Sequence, residues 1–154
     1  MIELVPTTIN HVVRLGLDMR RGDADECRAL GLLPLEAVLE SWEASDRATT
    51  LLFDGEVAAC AGLVLEPSET ALSRRRAQVW LLTSPLVVER PLEFHRAMKA
   101  LLQGAAAHAD VLWNYVDARY EASLRWLAYL GFTVREARPH GPLDMPFCLV
   151  TRES

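Results

Sequence analysis

Two short apolar runs, Ala77 to Thr83 and Val111 to Val116, flank the longest stretch of helical periodicity in the chain. Between them Leu92, Phe94, His95, Met98, Leu101, Leu102 and Ala105 recur at helical intervals, and Arg90-Pro91 suits a helix start because proline's missing N–H is tolerated there. A strand, a covering helix and a second strand in one sheet pair in parallel by a right-handed crossover. This unit constrains the rest of the chain: whatever lies on either side must join a sheet that already carries a helix on one face.

The flanking sequence supplies antiparallel neighbours. Ile2 to Val5 reads as a short strand stopped by Pro6-Thr7-Thr8, with Thr7 or Thr8 as the N-cap of a helix over Ile9 to Arg20. Gly22-Asp23 breaks that pattern, Asp23 is positioned to cap the next helical stretch, and Ala24 to Leu30 with Leu35 to Ala44, interrupted by Gly31 and Pro34, read as two short helices or one bent helix, taken as one in the order below. Thr49 to Phe53 and Glu56 to Leu65 are strands joined by Asp54-Gly55, a strong hairpin signal. After the crossover come a helix over Glu121 to Leu130, stopped by Gly131, and two strands, Phe132 to Glu136 and Pro146 to Thr151, around a Pro-His-Gly-Pro turn. The order is β-α-α-β-β-β-α-β-α-β-β, an α/β class with a mixed sheet and helices on both faces. With 154 residues, about half of them hydrophobic, we expect one domain over residues 1–154.

Composition excludes several functions. A formal net charge of −5 does not suit a general binder of nucleic acid or anionic membranes, so neither is expected as a partner. No apolar run reaches the ~18 residues of a spanning helix, and the N-terminus lacks the pattern of a signal peptide, which points to a cytoplasmic protein. Cys27, Cys60 and Cys148 are odd in number and far apart, supporting neither a disulfide framework nor a metal site.

The element order resembles the GNAT acyltransferase superfamily, and Trp126-Leu127-Ala128-Tyr129-Leu130-Gly131-Phe132 is similar to the way its second-last helix runs into Gly-Phe. More narrowly, Leu112-Trp113-Asn114-Tyr115-Val116, Ser123-Leu124-Arg125-Trp126-Leu127 and Leu130-Gly131-Phe132 resemble GNAT-like proteins of tailed phages, of the internal virion protein A type. The resemblance implies a three-layer αβα fold whose central sheet splays between the strands Ala77–Thr83 and Val111–Val116. It also implies acetyl-CoA as the acyl donor, its pyrophosphate held on the start of the long helix. There the family carries Q/R-x-x-G-x-G/A, which Arg90-Pro91-Leu92-Glu93-Phe94-His95 matches only at Arg90; Glu93 and His95 fill both small positions. The family's usual tyrosine acid falls at Leu127, and Tyr129, about 200° around the helix, is the nearest substitute.

From that resemblance follow the candidate residues. Arg90 and Arg96 flank the helix start, where free N–H groups favour anions. Backbone N–H groups near Leu82, Thr83 and Ser84 would polarise an acyl carbonyl, and Asp117, or an acidic residue near Asp23, would take the amine's proton. Asp23, Asp25 and Glu26 also read as ordinary helix-start charges, Trp126 and Leu127 as core, Trp113 and Tyr115 as packing on one strand face, and His108, His140 and Arg74 to Arg76 as surface. Two functions remain open. One is an acetyl-CoA-dependent N-acetyltransferase acting on a small-molecule or protein amine. The other is a catalytically inactive GNAT fold serving phage assembly, the virion or a host protein.

Overall fold

A computed structural model describes residues 1–153. β1 (Ile2–Pro6) leads through a capped turn into α1 (Ile9–Leu17), α2 (Arg21–Ala29) and α3 (Pro34–Ala44). β2 (Arg47–Phe53), β3 (Glu56–Leu65) and β4 (Arg76–Thr83) follow, then a one-turn α4 (Leu86–Glu89), α5 (Pro91–Ala106), β5 (Val111–Asp117), α6 (Glu121–Tyr129), β6 (Thr133–Val134), β7 (Arg138–His140) and β8 (Met145–Glu153). The strands form one sheet in the order β1-β2-β3-β4-β5-β8-β6, with β7 also on β8. Every pairing is antiparallel except β4 with β5, as the crossover requires.

Alternation along β4 sorts the core into two layers. Trp80 and Leu82 join Val12, Leu15, Cys27 and Val38 under α1–α3, whereas Ala77 and Leu81 face the α5 and α6 side. Thr8 accepts the His11 N–H and caps α1. Asp54 and Gly55 both take positive φ, 51° and 82°, which is the backbone that a two-residue hairpin needs. Gly131, at φ 97°, ends α6.

Three boundaries depart from the sequence reading. Gly22 and Asp23 do not break the chain but lie inside α2, and α1 stops at Leu17. Gly22 is there for close packing: a Cβ at this position would sit 2.6 Å from Cζ of Tyr120. The C-terminal strand expected over Phe132 to Glu136 is only two residues long. The third departure is β7. His140, expected on the surface of a turn, ends this strand and stacks on Tyr115, with ring centroids 3.8 Å apart and planes at 15°. Trp113 and Tyr115 do share a face, in edge contact at 6.0 Å.

Candidate functional site

The sheet opens where β4 and β5 part. They pair only over Arg76–Val111, Ala77–Leu112 and Gln78–Trp113, while β3 and β4 stay paired up to Thr83. The Val111 N–H reaches the Arg75 carbonyl, so odd-numbered N–H groups of β5 face β4. Tyr115's N–H would be the next rung. It is taken instead by Oδ1 of Asn114 at 2.7 Å, and the same oxygen accepts Nε2 of Gln78 at 3.2 Å. The donor that the parting would orphan is thus satisfied within β5, which removes the cost of leaving a buried N–H unpaired.

On the opposite lip, the Ser84 N–H donates to the Ala58 carbonyl at 2.8 Å. Alternation then turns Leu82 toward β3, and Leu81 and Thr83 toward the gap. Thr83's N–H is spent on Oδ2 of Asp23 at 2.6 Å, and its hydroxyl donates to the same oxygen at 2.5 Å. None of the three N–H groups expected to polarise a carbonyl is therefore free for it: Leu82 faces the wrong strand, Thr83 serves Asp23, and Ser84 serves Ala58. Leu81 is the residue whose N–H faces the gap, a parity of one position that hydrophobic patterning in a strand apolar on both faces does not reveal.

The floor is acidic and comes from α2. Asp23 is buried, and burial raises its pKa despite hydrogen bonds from Thr83 and Tyr120 and the charge of Arg20. Glu26, one turn on, accepts the Asp117 N–H at 3.0 Å. Its pKa is pushed up to about 8, first by burial and then by the neighbouring charges of Asp23 and Asp117. Asp117 behaves differently. It is only 2% exposed and holds Arg119 in a two-pronged pair, Nη2 to Oδ2 at 2.7 Å and Nε to Oδ1 at 3.0 Å. Burial pushes it up, but Arg119's hydrogen bonds and charge outweigh this and hold it below the usual carboxylate range. The proton acceptor expected at Asp117 is therefore an ion-paired anion, and the cavity carboxyl whose pKa lies just above neutrality is Glu26. Asp25 is exposed and pairs with Arg28.

The start of α5 is closed by its own charges. Arg90 Nη2 lies 2.6 Å from Oε2 of Glu93, and its Nη1 lies 3.4 Å from Oδ2 of Asp54, with the guanidinium 4.9 Å from the Phe53 ring centroid. Pro91 brings no N–H, so a diphosphate here would meet a carboxylate and an arginine already paired. These residues do not fit the diphosphate of coenzyme A. Arg96 is exposed on the outer side of α5, beside Ile2 and Leu4, away from the parted strands. Farther along, Nε1 of Trp126 donates to Nδ1 of His95 at 3.0 Å, and Phe94 stacks on Trp126 at 5.3 Å, so the expected core residue Trp126 bridges α6 to α5. Tyr129, expected as a substitute acid, is 78% exposed and does not line the cleft. Leu127 does line it and carries no proton.

Asp23, Glu26, Thr83, Leu81, Asn114 and Tyr120 share one cavity of about 660 Å³, which continues beneath α5. Cys27, Cys60 and Cys148 are free and buried, and none of them lines this cavity. No helix of the described residues is long and apolar enough to cross a membrane.

The chain matches no protein-family profile and no curated protein. Solved structures match it over almost its whole length. The aminoglycoside N(6')-acetyltransferase of Legionella pneumophila superposes with a TM-score of 0.74 at 7% identity, covering 99% of this chain and 91% of its own. AAC(6')-Ib, solved in complex with ribostamycin and coenzyme A, gives 0.69 at 13%, covering 99% and 93%. A GNAT-family acetyltransferase from Streptococcus pneumoniae gives 0.66 at 11%, covering 99% of each chain. The chain therefore has the GNAT acetyltransferase fold, an α/β mixed sheet opened at its parallel pair; identities this low speak for the fold alone.

Proposed function

We propose that this protein transfers an acyl group from a thioester to an amine, as a GNAT-fold N-acyltransferase that holds its donor weakly. The observation that carries this reading is Glu26, a carboxyl of raised pKa lining the same cavity as the gap-facing N–H of Leu81. In the reaction the amine nitrogen attacks the acyl carbon and loses its proton to Glu26, the carbonyl oxygen gains charge against the Leu81 N–H, and the carbon–sulfur bond breaks. With Leu127 where the family's acid would stand, the departing thiolate takes its proton from water. Asp23 holds α2 against β4 through the N–H and hydroxyl of Thr83.

The donor is an acyl-coenzyme A whose thioester end suits the gap and whose diphosphate end does not suit the start of α5. Acetyl-CoA should accordingly bind weakly and acetylate generic amines slowly. Calorimetric titration with acetyl-CoA, together with assays on a panel of small amines and peptide N-termini, tests this. Product formed by the wild type and lost in Glu26→Gln supports the reading; no product with any acyl donor and amine overturns it. Low-micromolar acetyl-CoA binding would overturn the claim of a weak donor seat.

The Arg90–Glu93 closure and the Trp126–His95 bridge favour a second reading: a silent GNAT fold, of the kind found in phage internal virion proteins, whose partner is a phage or host protein. The two readings place the protein differently, in the cytoplasm as an enzyme or in the virion as a component. Neighbouring capsid and tail genes would favour the second.

A further inference from the structure

Helix α5 covers the sheet without closing on it. Of its 16 residues only Met98 is buried, and α6 buries none. Beneath them Ala61, Val79 and Leu81 lie on β3 and β4, in the middle of the sheet, yet are only half-buried. Strand register arranges this floor in two rows across three strands, Thr49–Ala61–Leu81 and Arg47–Leu63–Val79. Above it the lining positions of α5, Phe94, Met98, Leu101 and Ala105, recur every three or four residues along one helical face, and His108 lines the cavity from the turn that follows. The space between is part of the same cavity of about 660 Å³, far larger than an acetyl group requires. Its middle is apolar, with Asp23, Glu26 and Tyr120 at the end of the parted strands and Arg47 and His108 at the other. Protein interiors are close-packed, and an apolar cavity that remains is one that apolar ligands enter.

We propose that this channel holds a linear aliphatic acyl chain, with its carbonyl at the Leu81 N–H and its tail running under α5 toward Arg47 and His108. From Met98 to Ala106 the helix advances about 12 Å, room for a chain on the order of nine carbons. The small residues Ala61, on the floor, and Ala105, on α5, both line the cavity and intrude little on its width. The amine approaches from the α2 side of the sheet and the chain lies on the α5 side, so the two substrates meet at the gap without competing for space. This assignment of the donor rests on the amine-acylation reading, but chain binding can be measured apart from catalysis.

The test uses the full-length protein, dansyl-undecanoic acid as a fluorescent probe, and acetyl-, hexanoyl- and decanoyl-CoA and free decanoate as competitors. Competition should strengthen with chain length, up to about fourfold per added methylene where the chain is fully buried. Ala61→Phe, which narrows the channel from the floor, and Ala105→Phe, from the roof, should each weaken probe binding at least tenfold. Equal competition by acetyl- and decanoyl-CoA, or wild-type probe affinity in both variants, would overturn the proposal. Chain-dependent binding without any acylated amine would keep the channel and remove the acyltransferase reading. Acetyl transfer without chain-length dependence would keep the acyltransferase and remove the channel.

Discussion

The side-chain oxygen of Asn114 accepts the backbone N–H of Tyr115 at 2.7 Å, and the sheet opens at this bond. The donor that would have carried the parallel ladder one rung further is satisfied by its own neighbour, and Gln78 steadies the carboxamide from β4. Asn114→Leu removes that acceptor and leaves Tyr115's N–H without a partner in a half-buried setting. It should destabilise the fold by about 1–3 kcal/mol, while Asn114→Asp, which keeps an acceptor oxygen, should cost less. Urea unfolding of both variants measures the difference; equal losses would mean that the carboxamide does not hold the parting point.

Glu26 makes a pH signature of the folded state. Its folded pKa of about 8 lies above the unfolded value near 4.5, so between these values the native state keeps a proton that the unfolded chain has released. Stability from this group is therefore full at acid pH and falls as pH rises through that window, by about 1.4 kcal/mol per pH unit. Glu26→Gln should flatten the slope and raise the melting temperature at pH 8 relative to wild type. A wild-type curve that is flat between pH 5 and 8, or one unchanged by the substitution, would place the carboxyl in water.

The same carboxyl sets the rate profile if the protein is an acyltransferase. Activity should rise with pH toward an apparent pKa near 8, and Glu26→Gln should lower it by roughly a hundred- to ten-thousand-fold, the usual worth of a general base. Asp117→Asn, by contrast, should act through stability, because Asp117 is already committed to Arg119. A loss of rate confined to Asp117→Asn would return the base to that residue.

At the start of α5, Glu93→Gly with His95→Gly removes the carboxylate beside Arg90 and the acceptor that holds Trp126. Acetyl-CoA affinity should rise at least tenfold in calorimetric titration, at a helix-propensity cost of up to about 1 kcal/mol per glycine. In that variant, where Arg90 no longer faces Glu93, Arg90→Ala should abolish the gain, whereas Arg96→Ala should not, since Arg96 stands beside Ile2 and Leu4. An unchanged affinity in the glycine variant would show that something other than this charge and bulk limits the donor seat.

Much of this architecture was legible because it rests on local chemistry. The crossover from Ala77 to Val116, the Asp54-Gly55 hairpin and the stop at Gly131 are each written in a few adjacent residues. The site was less so, because its decisive contacts join distant segments. Gly22 looked like a breaker, since its role, making room for Tyr120, involves a residue 98 positions away in sequence. Which β4 amide faces the gap depends on a register that Ser84 and Ala58 fix across a hairpin. That Asp117 pairs with Arg119 was within reach of the sequence, two residues apart, whereas Glu26 stood there only as one of several acidic residues around Asp23, and its contact with Asp117 spans 91 positions.

Asp23 is where fold and site meet, and its two nearest substitutions should separate sharply. Its Oδ2 takes both the N–H and the hydroxyl of Thr83 in a buried setting, while the Arg20 N–H bonds the Thr83 carbonyl at 2.7 Å, so α2 is fastened to the end of β4 through one residue. Asp23→Ala leaves the Thr83 N–H buried without an acceptor and opens space beside Tyr120, which should cost about 2–4 kcal/mol. Asp23→Asn keeps an oxygen in the same place. Burial raises the pKa of the native carboxyl, and the amide still offers Thr83 an acceptor oxygen, so the amide should lose little near pH 6. Near that pH, denaturant midpoints should rank wild type and Asp23→Asn together and Asp23→Ala well below. If Asp23→Asn fell as far as Asp23→Ala, the charge of Asp23 and not its acceptor geometry would be holding α2 in place, and the acidic floor would have to be read as ionised.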